Sequence, residues 1–183
     1  MLFSMKELLC KAKKDNYAVP APNVWNDSSV QASLRAAKKC NSPVILDVEV
    51  SDDPEYLDDL GRNPIYEFLE YVTRWSERAP VPVAINLDHG KSYVNVMHAI
   101  RAGVTSVMID CSTLPFDENV EKVCEVVKSA HSVGVSVEAE LGHVGRGFRY
   151  EVDGKTSLTD PLEAERYVAL TGVDCLAVAI GTA

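Results

Sequence analysis

The sequence predicts an α/β fold in which parallel strands alternate with helices, in the manner of an incomplete (β/α)8 TIM barrel with about six of its eight units present. Three observations lead there. Helix-period segments and strand-like runs alternate along the chain with no repeat, low-complexity stretch or linker, so the 183 residues read as one partial barrel domain, 1–183. Most strands are continuous apolar runs, as expected of strands covered on both faces. Acids, amides and an imidazole collect at the carboxyl ends of four of them. An open doubly wound sheet binds at one crevice, whereas a barrel gathers every strand end around one mouth, so four decorated ends favour the barrel.

Taken in order, Ser4 caps a first helix through Leu8, Leu9 and Ala12, whose end is rich in lysine (Lys13, Lys14). A short strand, Ala18–Pro22, follows, and its two prolines suit a strand end and not a regular central strand. Asn23 stands at its carboxyl end. Asp27 or Ser28 caps the next helix, which buries Val30, Leu34 and Ala37, and Asn41-Ser42-Pro43 ends it. Val44–Val50 is a second strand that starts as a buried run and then alternates with acids. Ser51–Asn63 is the most acidic stretch and reads as a solvated loop. Helix returns over Pro64–Arg78, with Ile65, Phe68, Leu69, Val72 and Trp75 at core spacing.

The third strand, Val81–Leu87, runs into Asp88-His89-Gly90. Neighbouring strand residues point to opposite sides, so Asp88 and His89 cannot face one point while the strand stays regular. Gly90 would permit the break that turns both toward a common centre. From these residues alone the favoured reading is an aspartate that caps the next helix and a histidine hydrogen-bonded at a strand end. A helix over Tyr93–Arg101 ends at Gly103, and Thr105–Asp110 is a fourth apolar strand ending in an acid. Asp117 caps a helix through Val120, Val123, Val127 and Ala130. The fifth strand, Val135–Leu141, carries Glu138 and Glu140 on one face at period two. Two carboxylates inside a sheet are costly unless a cation or donors compensate, which points to a metal site. The segment 142–159 is polar and contains glycine, as a mobile lid does, and a helix (Asp160–Leu170) and sixth strand (Asp174–Ile180) follow.

Composition narrows the function class. A net charge of −9 argues against general nucleic-acid binding, so an anionic substrate would need a local positive centre such as a metal. Five scattered cysteines without a CxxC pair fit reduced thiols better than disulfides or structural zinc. No apolar run approaches a membrane span and the N-terminus lacks a signal-peptide layout, so the expectation is a cytoplasmic protein without membrane partners.

The segments Asn41-Ser42-Pro43-Val44-Ile45, Leu87-Asp88-His89-Gly90, Ile100–Asp110, Leu114-Pro115-Phe116, Val135–Gly142 and Thr171–Ala183 together resemble the class II, metal-dependent ketose-bisphosphate aldolases. The resemblance implies zinc as the cofactor with a monovalent cation as a second ion, and metal-assisted cleavage of a fructose- or tagatose-type 1,6-bisphosphate in carbohydrate metabolism. It implies His89 as the first of three zinc histidines and Asp88 as the acid that moves the hydroxyl proton. Asp110 and Glu140 match acids at a supporting or alternative metal position, with Glu138 behind them, and Asn23 matches a substrate-contacting amide. The expected partners are a small sugar-phosphate substrate and further copies of the chain, in a dimer or tetramer.

Three departures from the family pattern stand out. The Gly-Gly-x-Glu-Asp run expected after the fifth strand is replaced by Gly142-His143-Val144-Gly145-Arg146, with Glu151 and Asp153 out of register. Glu49 stands where a small hydroxyl residue near phosphate is expected, unless Ser51 takes that place in a shifted register. The resemblance stops at Ala183, where the family continues with His-Gly, so the other zinc histidines and the last two strands would lie beyond it. The expectation is a C-terminally truncated aldolase that is inactive as 183 residues. The alternative is a non-catalytic homologue or supporting subunit that binds sugar phosphates.

Overall fold

The computed structural model describes residues 1–50, 65–142 and 158–181. The acidic stretch 51–63 and most of the expected lid, 143–157, lie outside the described residues. Six helices and five strands are described: α1 Met5–Asp15, α2 Asp27–Cys40, β1 Val44–Glu49, α3 Ile65–Arg78, β2 Val83–Gly90, α4 Tyr93–Arg101, β3 Ser106–Ile109, α5 Phe116–Ser132, β4 Ser136–Leu141, α6 Pro161–Thr171 and β5 Cys175–Val178. The strands form one all-parallel sheet in the order β1-β2-β3-β4-β5, curled into half a barrel with the helices outside.

Five regular strands stand where six are expected. The missing one is Ala18–Pro22, which contributes only an isolated parallel bridge, Asn23 with Asp47. The chain nonetheless runs along β1: Ile45 N–H donates to Pro20 O (3.0 Å), Asp47 N–H to Pro22 O (3.1 Å) and Val24 N–H to Asp47 O (2.8 Å). Pro20 and Pro22 have no N–H to return, so half the ladder cannot form and no regular strand results. At the opposite margin β5 pairs with β4 alone among the described residues, and Val178 and Ile180 stand exposed there.

Capping explains most element boundaries. Ser4 and Glu7 form a reciprocal capping box at α1. For α2 the cap is Asn26, not Asp27 or Ser28, because Asn26 accepts from Ser29 N–H while the Ser29 hydroxyl accepts from Asn26 N–H. Asp117 lies inside the first turn of α5, where Pro115 holds the N-cap position without a side-chain bond. Trp75 reaches only the margin of the α3 core face and is 39% exposed.

The sheet has two different faces. Val44, Leu46, Val48, Val83, Ile85, Leu87, Val107, Ile109, Val137 and Ala139 face the outer helices and make the main core. The alternate residues face the barrel interior. At its lower end Ile45 and Ala84 are covered by Met5 and Leu8 of α1, whose first N–H donates to Ser136 Oγ (3.1 Å). Helix α1 therefore closes the amino-terminal end of the strands and leaves the other end open.

Asp174 fastens this closed end. Its side chain is 3% exposed and meets Lys6 Nζ of α1 and His131 Nε2 of α5, each at 2.8 Å, while the Val137 N–H of β4 donates to it at 2.8 Å. Burial pushes its carboxyl up, but Lys6, Val137 and His131 more than offset that and hold it below the ordinary carboxylate range. Asp174→Asn is expected to cost about 1–3 kcal/mol in urea denaturation at neutral pH. A carboxylate with a depressed folded-state pKa stabilises above its unfolded value of about 3.9 and loses that contribution as pH falls through the folded value. The gap between wild type and variant should therefore narrow below about pH 4.

Candidate metal centre

At the open end, β2 departs from regular pairing. Leu87 pairs with Val107 but Gly90 pairs with Ile109, so β2 spends three residues where β3 spends two. The extra residue is a bulge, and His89 within it has φ +48°, a left-handed conformation rare for a side chain of this size. Asp88 keeps the inward direction of Ala84 and Asn86, and the bulge turns His89 to the same side. The expectation that Gly90 supplies the break is corrected: the positive φ belongs to His89. Gly90 is required for space, because a Cβ there would lie 2.5 Å from Met108 O and 2.9 Å from Leu87 Cδ2.

The turned imidazole meets acids from the next two strands. His89 Nδ1 is 2.9 Å from Asp110 Oδ2 and 3.9 Å from Glu140 Oε2, and Nε2 is 3.9 Å from Asp88 Oδ1. One donor atom from each of His89, Asp110 and Glu140 falls within 4.8 Å of the others. Ser112 fixes Asp110, donating to Oδ1 from its N–H (3.1 Å) and its hydroxyl (2.7 Å), and Lys91 Nζ stands 3.6 Å from Oδ2. The His89 bond, with help from Ser112, holds the Asp110 carboxyl well below its usual range. The same Asp110 bond raises His89, reinforced by the charges of Asp88 and Glu140.

Asn23, carried by the proline segment alongside β1, donates from Nδ2 to Asp88 Oδ2 (2.8 Å). Asn23, Asp88, His89, Asp110 and Glu140 thus meet at one mouth, as the sequence led one to expect. Glu138 sits one layer deeper, where Asn86 Nδ2 donates to its Oε2 and to Asp47 Oδ1, both at 3.1 Å. Sequence reasoning passed over Asp47 and Asn86. Each interrupts an apolar run at an inward position, the same signal that drew attention to Glu138. Burial, with the charges of Asp88 and Glu138, pushes the Asp47 carboxyl up to about 7. One imidazole nitrogen and two carboxylates from adjacent strand ends form a donor set that a divalent metal accepts.

An inward-curling parallel sheet, plugged below and carrying acids and an imidazole above, defines an incomplete barrel of the (β/α)8 type with a candidate metal centre at its mouth. The sequence pattern of class II fructose-bisphosphate aldolases matches residues 3–183, and the chain belongs to that family. A curated fructose-bisphosphate aldolase from Giardia intestinalis is 42% identical over 99% of this chain and 54% of its own length. The crystal structure of the YdjI aldolase from Escherichia coli K12 superposes with a TM-score of 0.84 at 33% identity, covering 99% of this chain and 63% of that one. A fructose-bisphosphate aldolase from Campylobacter jejuni gives 0.74 at 25% identity, covering 98% and 59%. The chain thus spans about half the length of the curated relative. Among the described residues no helix is long and apolar enough to cross a membrane.

Gly90→Ala tests the bulge directly. Its Cβ would strike the Met108 carbonyl, a backbone atom that cannot rotate aside, so a loss of about 1–3 kcal/mol is expected from denaturant unfolding. Unchanged stability would show that β2 and β3 do not approach as closely as the bulge requires.

Proposed function

We propose that these residues form the amino-terminal part of a class II aldolase that reversibly cleaves a ketose 1,6-bisphosphate of fructose or tagatose type into dihydroxyacetone phosphate and glyceraldehyde 3-phosphate. The observation that carries this reading is the bulge that turns His89 onto Asp110 and Glu140 at the mouth. His89, Asp110 and Glu140 would hold the metal, and the imidazole favours zinc. When bound, the ion supplies Lewis-acid polarisation of the substrate carbonyl.

The chain's own residues do the rest. Asp88 takes the proton from the substrate hydroxyl on cleavage and returns it to the aldehyde oxygen on condensation. Asn23 orients the Asp88 carboxylate through its Oδ2 and presents its amide to the substrate. Ser112 fixes Asp110, which stands against His89 Nδ1 so that both face the mouth. Glu138 supports the layer beneath. A cytoplasmic homo-oligomer is the setting this reading implies.

Glu49 favours a second reading. It is exposed at the mouth and in register with Asp88, so its carboxylate would oppose a phosphate arriving there. In that reading the protein binds a sugar phosphate or supports a partner subunit without turnover.

Steady-state cleavage of fructose and tagatose 1,6-bisphosphates by the full gene product separates the two. The aldolase reading expects activity that a chelator removes and zinc restores, with kcat reduced about 10²–10⁴-fold in Asp88→Asn. Substrate binding with no cleavage at any zinc concentration would establish the second reading. For the 183 residues alone, one imidazole and two carboxylates make a weak and poorly selective set. Zinc titration should show weak binding, lost in His89→Ala, and no turnover. A tight zinc site in the 183-residue chain would overturn that expectation.

A further inference from the structure

The end of β4 is held by a buried chain of hydrogen bonds that the aldolase reading leaves unused. Ser136 N–H donates to Thr105 O across the β3–β4 ladder, and the backbone groups of alternate residues point to the same neighbouring strand. Glu140 therefore turns its carbonyl toward β3. Strand β3 ends at Ile109, whose partner in the register is Ala139, one residue short of Glu140. There Asn119 of α5 takes over from the ladder, and its Nδ2 donates to Glu140 O at 3.1 Å. Asn119 is 1% exposed, and the wholly buried Tyr167 of α6 donates its hydroxyl to Asn119 Oδ1 at 2.5 Å.

Each member of this chain fixes the next. A backbone carbonyl only accepts, so the Asn119 NH2 group must face Glu140 O. The amide oxygen then faces α6 and takes the Tyr167 hydroxyl as its donor. Burial pushes the Tyr167 phenol up, so it stays protonated and remains a donor. Its ring packs edge-on against Phe116, with centroids 5.8 Å apart, and the Thr171 hydroxyl donates to Tyr167 O at 2.8 Å. The residue gripped at the far end belongs to the candidate metal centre. Glu140 is buried, and its Oε2 lies 3.9 Å from His89 Nδ1. A ligand keeps its aim only while the groups behind it are held, so a strand end that outruns its neighbour needs such a support.

We infer that Asn119 and Tyr167 are positioning residues for the metal centre, fixing the backbone of Glu140 where β3 no longer can and so setting where its carboxylate meets His89. The inference rests on the reading of His89, Asp110 and Glu140 as metal ligands, and not on turnover. Both residues act through Glu140.

The test is the zinc affinity of the full gene product, measured by competition with a chromophoric chelator, together with the visible spectrum of the cobalt(II)-substituted protein. Asn119→Leu keeps the side-chain volume and removes both hydrogen bonds. It should weaken zinc about tenfold or more, as loss of a group supporting a ligand does. Tyr167→Phe removes the hydroxyl alone and should weaken zinc about threefold, the worth of one hydrogen bond. Both should alter the cobalt(II) absorption bands. Asp174→Asn, at the closed end of the barrel, is the control: it should lower Tm and leave zinc affinity and the cobalt spectrum unchanged. A lowered Tm with wild-type zinc affinity and cobalt spectrum in the two variants would overturn the inference and reduce the pair to packing. Equal weakening of zinc in Asp174→Asn would overturn it too, by showing a general loosening. If Asn119→Leu fails to fold, Tyr167→Phe decides. A wild type that holds no zinc would overturn the inference together with the metal centre. Zinc held without cleavage, and weakened in the two variants, would sustain the inference and overturn the aldolase reading alone.

Discussion

The site depends on one extra residue in β2. In a regular parallel ladder Asp88 would face the barrel interior and His89 the outer helices, and no metal-binding geometry could include both. The bulge between Leu87 and Gly90 removes that alternation and lets β2 present two consecutive side chains to one mouth. The left-handed backbone at His89 is the local cost, about 1–3 kcal/mol for a non-glycine residue. Contacts on both sides hold it in place: Asp110 bonds the ring, and Gly90 fits against the Met108 carbonyl where no larger residue could.

The interior is graded along the strand axis. The closed end is apolar, with Met5 and Leu8 of α1 against Ile45 and Ala84. The middle layer holds Asp47, Asn86 and Glu138, and the open end holds Asp88, Asp110 and Glu140. Carboxylates therefore accumulate toward the mouth, and the imidazole of His89 lies within 3.9 Å of the upper three. Such a gradient concentrates negative potential at the candidate metal centre, and it leaves the outer, helix-facing layer free to carry the folding energy through apolar burial.

The same asymmetry appears at the sheet margins. Beside β1 the chain returns along Pro20–Val24 and covers the edge with a half-ladder, delivering Asn23 to Asp88 as it does so. The prolines that prevent a regular strand there also fix where the chain leaves the sheet, so the same residues cover an edge and position a polar group at the mouth. Beyond β5 no such cover is present among the described residues, in keeping with a chain that spans about half of its curated relative.

The sequence by itself determined the order of the helices and of five of the six expected strands, the parallel sheet, the decorated strand ends and the residues gathered at the mouth. These follow from local chemistry: apolar period, capping residues, and acids placed where apolar runs end. It located Glu138 and Glu140 on one face because strand period is a two-residue rule. Tertiary structure decided what that rule cannot express. Whether His89 joins Asp88 depends on pairing between β2 and β3, a contact between residues about twenty apart that no local pattern encodes. The assignment of positive φ to His89, with Gly90 serving close approach, required the Met108 carbonyl to be in place. Asp47 and Asn86 gained their meaning only when β1, β2 and β4 came together, since a polar residue in an apolar run becomes a partner only once the facing strand is known.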